Sequence, residues 1–252
     1  MSLFDLTGRA AIVTGGNGGI GRGIALGLAA AGADVCIAAR DQGKAESVRK
    51  EIQALGRRCV CVPCDVDRAS DIAAALDAVK QAFGGLQILV NNAGIAAFGA
   101  PETMTEEDWG GVIETNLSSV FRFSQAAFPL LAEQGGKIIN IGSMYSLFGS
   151  PVVPSYSASK GGVIQLTKSL AVAWAGQNIQ VNALLPGWIT TDMTAPVVDD
   201  MPEMHRRIIE RTPAGRFGEP EECAGTAVFL ASSASDFVTG QSVAVCGGYS
   251  VS

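Results

Sequence analysis

A single histidine, His205, serves the whole chain of 252 residues. Hydrolases built on a Ser–His–acid set need an imidazole beside the nucleophile, and no Gly-x-Ser-x-Gly elbow is present. His205 lies instead in His205-Arg206-Arg207, which with Arg211 and Arg216 reads as the wet face of a helix. Metal ligands are equally short. Cys61-x-x-Cys64 has ligand spacing, but no second pair or nearby histidine brings the set to the about four ligands a zinc site needs. Cys59 and Cys61 sit two apart, as on one strand face. The six cysteines read as buried free thiols suited to a reducing cytoplasm, and no metal site is expected.

Positive charge is scarce as well. Eighteen Lys and Arg stand against 24 Asp and Glu, giving a net charge of −6 and a pI near 4.9. That balance disfavours nucleic acid, whose binding depends on clustered Lys and Arg releasing counterions. No apolar run approaches the about 18 residues of a membrane span. The start Met1-Ser2-Leu3-Phe4-Asp5 has neither the basic nor the apolar region of a secretory leader. No membrane partner is expected.

What is abundant is apolar: 48% of residues are hydrophobic, ample for a large core. The 31 glycines are scattered at element ends rather than periodic, unlike collagen. Continuous apolar runs at 10–13, 35–38, 59–62, 86–90, 137–141, 179–185 and 242–245 read as buried strands. Between them lie segments such as 20–31, 44–55 and 70–83, with apolar residues at helical period. This alternation predicts an α/β fold, a doubly wound seven-stranded parallel sheet with helices on both faces. Ligands in such sheets bind outside the carboxyl ends of the strands. The stretch 190–213 breaks the alternation before a helix over 219–230, and carries Met193, Pro196, Met201, Pro202 and Met204. It is either a surface connection or a lid, and extended insertions at the ligand end are usually functional.

Two local patterns carry chemistry. Thr14-Gly15-Gly16-Asn17-Gly18-Gly19-Ile20-Gly21 joins the first strand to a helix, where a phosphate meets backbone N–H groups and a helix N-terminus. Tyr156 and Lys160 stand four apart in a helical segment and so share one face. Ser143 lies thirteen residues before Tyr156, just after a strand. A phosphate-cradling turn with a Ser, Tyr, Lys set points to a nicotinamide-dependent oxidoreductase.

These patterns, with Asn91-Asn92-Ala93-Gly94, Asn116 and Pro186-Gly187, resemble the short-chain dehydrogenase/reductase family nearly end to end. The resemblance implies one Rossmann domain over 1–252 that binds NAD(P), with a mobile substrate lid at about 190–213, and a homotetramer. It implies that Asn116, Ser143, Tyr156 and Lys160 are catalytic. The cofactor would be held by Gly15, Asn17, Gly18, Ile20 and Gly21 in the turn, and by Arg40, Asp65 and Val66 at the adenosine end. Asn92, Ala93, Gly94, Tyr156, Lys160, Pro186, Gly187, Ile189 and Thr191 would complete its site. Substrate would meet Ser143, Met144, Tyr156 and Trp188. Asn116 would be a helix-kink residue anchoring a water that links Lys160 to bulk.

Arg40 decides the cofactor expectation. Ala39 offers no carboxylate for a ribose 2′-hydroxyl, whereas Arg40 suits a fork to a 2′-phosphate. Against this, Gly18 stands where many NADP-preferring relatives carry a basic residue, and Asp41 is close enough to compete for Arg40. NADP(H) is favoured and NAD(H) remains open. Catalysis needs the phenol, pKa near ~10, brought to about 7, which takes roughly 4 kcal/mol. An ammonium at ~4 Å supplies about that at an effective dielectric near 20, so Lys160 suffices only in a shielded site.

The expected reaction interconverts a secondary alcohol and a ketone. Pro186-Gly187-Trp188-Ile189, Arg211-Thr212-Pro213-Ala214-Gly215-Arg216 and Gly247-Gly248-Tyr249 look most like glucose- or gluconate-type dehydrogenases, so a sugar, polyol or sugar acid is expected. Two alternatives stand beside it: a 3-oxoacyl-[acyl-carrier-protein] reductase, and a non-catalytic NAD(P)-binding regulator. A regulator has no need of the catalytic set.

Overall fold

Residue-by-residue alternation along the strands sets up two apolar layers. A computed structural model describes residues 3–252, so Met1 and Ser2 of the N-terminal segment lie outside the described residues. In β1 (Ala10–Thr14) all five residues are buried. Ala11 and Val13 face one layer and Ile12 the other, as a period of two requires. The first layer packs on α1 (Gly19–Ala30) and α2 (Gln42–Ala54), the second on α3 (Ala69–Phe83). The remaining strands are β2 (Asp34–Ala39), β3 (Cys59–Pro63), β4 (Ile88–Asn91), β5 (Gly136–Ile141), β6 (Ile179–Pro186) and β7 (Ser242–Val245). They form one parallel sheet in the order β3-β2-β1-β4-β5-β6-β7. The strand order reverses between β1 and β4, which opens a crevice at their carboxyl ends.

Burial differs from the expectation at both edges. β3 and β7 are only partly buried, because each has a neighbour on one side alone. For the same reason Cys61 is half-buried, as is Cys246 beyond β7, while the other four cysteines are buried; all six are free. Among the described residues, no helix is long and apolar enough to cross a membrane.

Between β4 and β5 the chain forms α4 (Glu106–Ile113), a π-helical turn over Glu114–Ser118, and α5 (Ser119–Ala132). α6 (Pro154–Trp174) follows β5 and carries the Tyr156–Lys160 pair. The stretch after β6 contains two short helices, α7 (Ala195–Asp199) and α8 (Pro202–Arg211), each with a proline in its first turn, where the missing N–H costs nothing. The next segment starts as a 3-10 turn, Pro220–Cys223, before α9 (Ala224–Ala231).

Candidate active site

Every residue expected in the site except Asn116 lines one cleft of about 690 Å³ at the carboxyl ends of the strands. Its floor is the turn between β1 and α1. Gly15 has φ +63, a conformation that favours glycine. A Cβ on Gly21 would lie 2.3 Å from the Gly15 carbonyl oxygen and 2.5 Å from Asn92 Nδ2. Gly21 is therefore required by the turn's own packing. Gly18 has open space where a Cβ would stand. Asn92 ties the switch point together: Nδ2 donates to the Thr14 carbonyl at 2.9 Å, and its N–H donates to Thr14 Oγ1 at 2.9 Å.

The adenosine end holds the unpaired groups a nucleotide needs. Arg40 is exposed on the cleft wall and has no carboxylate partner among the described residues. Asp41 does not compete for it, because its carboxylate caps α2 by accepting from the Lys44 N–H at 3.0 Å. Lys44 also lines the cleft and pairs with Asp192 at 2.9 Å. Asp65 and Val66 are on the wall, and Asp65 is not a helix cap, since Arg68 precedes α3. Asp67, which the sequence did not single out, lines the cleft with Oδ1 buried and unbonded, while Oδ2 accepts from Thr115. An orphaned acceptor and an unpaired guanidinium on one cleft suit an adenine amine and a phosphate, and these residues fit NADP(H).

At the other end stand Ser143, Tyr156 and Lys160. Ser143 follows β5, accepts from the Tyr145 N–H at 3.2 Å and lines the cleft together with Tyr156. Lys160 Nζ is buried, donates to the Ile141 carbonyl at 2.7 Å and lies 5.6 Å from the centre of the Tyr156 ring. Burial pushes the lysine down to about 8. Burial also pushes the Tyr156 phenol up, with the Ser143 hydroxyl acting the other way. Lys160 is shielded, as the expectation required, but its ammonium is bonded to the Ile141 carbonyl and is itself penalised by burial.

Asn116 lies outside the cleft wall, buried in the π-helical turn. Its Oδ1 accepts from the Ile95 N–H at 2.8 Å, and Nδ2 donates to the Ile95 carbonyl at 2.9 Å and to Ser159 Oγ at 3.2 Å. A Cβ on Gly94 would lie 3.1 Å from Asn116 Oδ1 and 3.6 Å from Lys160 Nζ, so Gly94 lets the loop pass between them. Asn116 makes no direct bond to Lys160. Met144 and Trp188 line the substrate half with Tyr145, whose ring is 6.3 Å from those of Tyr156 and Trp188. Phe98 and Tyr249 were missed as lining residues; a lone aromatic beside glycines gives no periodic signal.

A dinucleotide-type turn at a switch point, with a Ser, Tyr, Lys set at the far end of the same cleft, defines a class: nicotinamide-dependent oxidoreductases on a doubly wound sheet. The model of the family described as enoyl-(acyl carrier protein) reductase matches residues 15–250. With the relatives below, this shows that the chain belongs to the short-chain dehydrogenase/reductase family, and it is an enzyme. It is 44% identical over 251 residues to 2-dehydro-3-deoxy-D-gluconate 5-dehydrogenase of Escherichia coli (strain K12), covering 99% of this chain and 98% of that one. It is 41% identical over 242 residues to 3-oxoacyl-[acyl-carrier-protein] reductase of Staphylococcus aureus (strain Mu50 / ATCC 700699), covering 95% and 97%. A crystal structure of gluconate 5-dehydrogenase from Burkholderia cenocepacia J2315, in complex with NADP and tartrate, superposes with a TM-score of 0.94 at 39% identity, covering 99% and 98%.

Proposed function

We propose that this enzyme uses NADP(H) in preference to NAD(H) to interconvert a secondary alcohol and a ketone on a sugar acid. The observation that carries the chemistry is the gathering of Ser143, Tyr156 and buried Lys160 on one cleft, with Lys160 Nζ 5.6 Å from the centre of the Tyr156 ring. Ser143 holds the substrate oxygen, and Tyr156 gives or takes its proton. Lys160, close to half-ionised near neutral-to-basic pH, supports the phenolate and holds the nicotinamide ribose. The bound nicotinamide supplies or accepts the hydride and, when oxidised, a positive charge. Asn116 fixes the loop that separates it from Lys160. Arg40 receives the 2′-phosphate, and the remaining cofactor contacts are those expected from the sequence.

Support for a sugar acid comes from relatives named for gluconates, including the one solved with NADP and tartrate. The Staphylococcus aureus relative keeps a 3-oxoacyl thioester as the second reading, and apolar side chains such as Phe98 and Val152 on the cleft wall suit an acyl chain. A non-catalytic regulator is disfavoured by the assembled set. The stretch 190–213, with α7 and α8 beside the nicotinamide end, is the lid of one NAD(P)-binding domain over 1–252. The enzyme works as a cytoplasmic homotetramer. A panel of gluconates, neutral polyols and a 3-oxoacyl thioester, run with each cofactor and read by nicotinamide absorbance, tests this. Turnover of the thioester alone would replace the substrate, and a preference for NADH would overturn the role of Arg40.

A further inference from the structure

The arginines around the lid divide sharply by partner. Arg206, Arg207 and Arg216 pair with Glu203, Glu210 or Glu222. Arg211, the last residue of α8, has no carboxylate partner among the described residues. Its guanidinium lies 4.2 Å from the centre of the Tyr249 ring and 4.9 Å from that of Phe148. Nη1 donates to the Tyr249 hydroxyl at 3.4 Å. Tyr249 is buried and lines the cleft. Tyr145 lines the same cleft, with its ring 6.3 Å from that of Tyr156.

Two aromatic faces hold this cation without neutralising it. A phenol whose oxygen accepts from a guanidinium keeps its own proton to donate, and that donor is strengthened by polarisation. We propose that the Tyr249 hydroxyl, backed by the unpaired charge of Arg211, receives the carboxylate of the substrate in the cleft it shares with Tyr156. This rests on the sugar-acid reading and goes further by assigning the end of the molecule that does not react. Arg211 is a positioning residue, since it reaches the cleft through Tyr249. A purely structural Arg211 would merely pin α8 to the C-terminal segment, and its loss would then affect charged and neutral substrates alike.

Gluconate and gluconamide differ in the charge of the terminal group and separate these roles. Arg211→Met should raise KM for gluconate by about tenfold or more, with the shift on KM rather than kcat and little change for gluconamide. Arg211→Lys should recover part of it, and Tyr249→Phe should show the same bias. Equal shifts for both substrates, or none, overturn the proposal. Tartrate, tested as an inhibitor of the reduction of a neutral ketone, gives an arm that does not depend on the substrate. Its inhibition constant should rise in Arg211→Met by a similar factor, and an unchanged constant overturns the proposal. If the parent enzyme turns over no sugar acid while tartrate inhibition still depends on Arg211, the carboxylate site stands and the sugar-acid reading falls. If gluconate is turned over with no dependence on Arg211, the sugar-acid reading stands and the carboxylate site falls.

Discussion

The two halves of the cleft are built by different means. The cofactor half is made largely of backbone: the turn after β1 and the ends of β2, β3 and β4, drawn together by Asn92 and Thr14. The substrate half is made of side chains, with Met144, Tyr145, Trp188 and Tyr249 projecting from segments beyond β5, β6 and β7. Where backbone contacts are this close, as at Gly15 and Gly21, a side chain cannot be added without moving the turn. A half lined by side chains changes its substrate by substitution. Relatives of near-equal identity, 44% and 41%, with names that carry unlike substrates, fit that division.

Breaking the backbone-built half should have the largest effect. In Gly21→Ala the new Cβ would meet the Gly15 carbonyl at 2.3 Å, and neither backbone nor Asn92 can yield cheaply. NADPH binding, followed by fluorescence titration, should weaken by about 100-fold or more. Parental binding would show that the turn is softer than its packing implies. A smaller effect is expected at the rim of the same half. Arg40→Ala should weaken NADPH by about tenfold or more and leave NADH nearly unchanged. An equal loss for both cofactors would remove Arg40 from the 2′-phosphate.

The catalytic end should reveal itself through pH rather than through binding. Burial holds Lys160 near 8 against its ordinary 10.5, so the folded state releases this proton before the unfolded chain does. The unfolded state binds more protons between those values, and stability must therefore rise with pH across that window. The cost of the buried ammonium is fully present below about 8 and gone above about 10.5. Relative to Lys160→Met, the parent should gain on the order of 3 kcal/mol over the window, read from urea unfolding of the cofactor-free protein. Parallel curves would mean that Lys160 titrates as an exposed lysine.

Legibility in the sequence followed the same division. Tyr156 and Lys160 were found because a helical repeat of four is local, and the strands because buried parallel strands read as continuous apolar runs. The partial exposure of β3 and β7 was not legible, since runs alone do not reveal which strands lie at the edges. The reason for Gly21 also lay out of reach, because Asn92 is distant in the chain and meets it only after β1 and β4 pair. Asp67 was hidden differently, and Arg211 was legible only as one of several basic residues in and after the stretch 190–213. What marks them is a missing partner, and only folded coordinates show which charges have found one.

Tyr156 carries the proposed acid–base chemistry. Steady-state turnover and NADPH binding of Tyr156→Phe, measured on the same preparation, test it most directly, because the change removes only the phenol oxygen. Turnover should fall by about 10²-fold or more, while the dissociation constant for NADPH stays within about threefold of the parent. Turnover within a few-fold of the parent, with the cofactor still bound, would contradict the assignment of Tyr156 as the acid–base group.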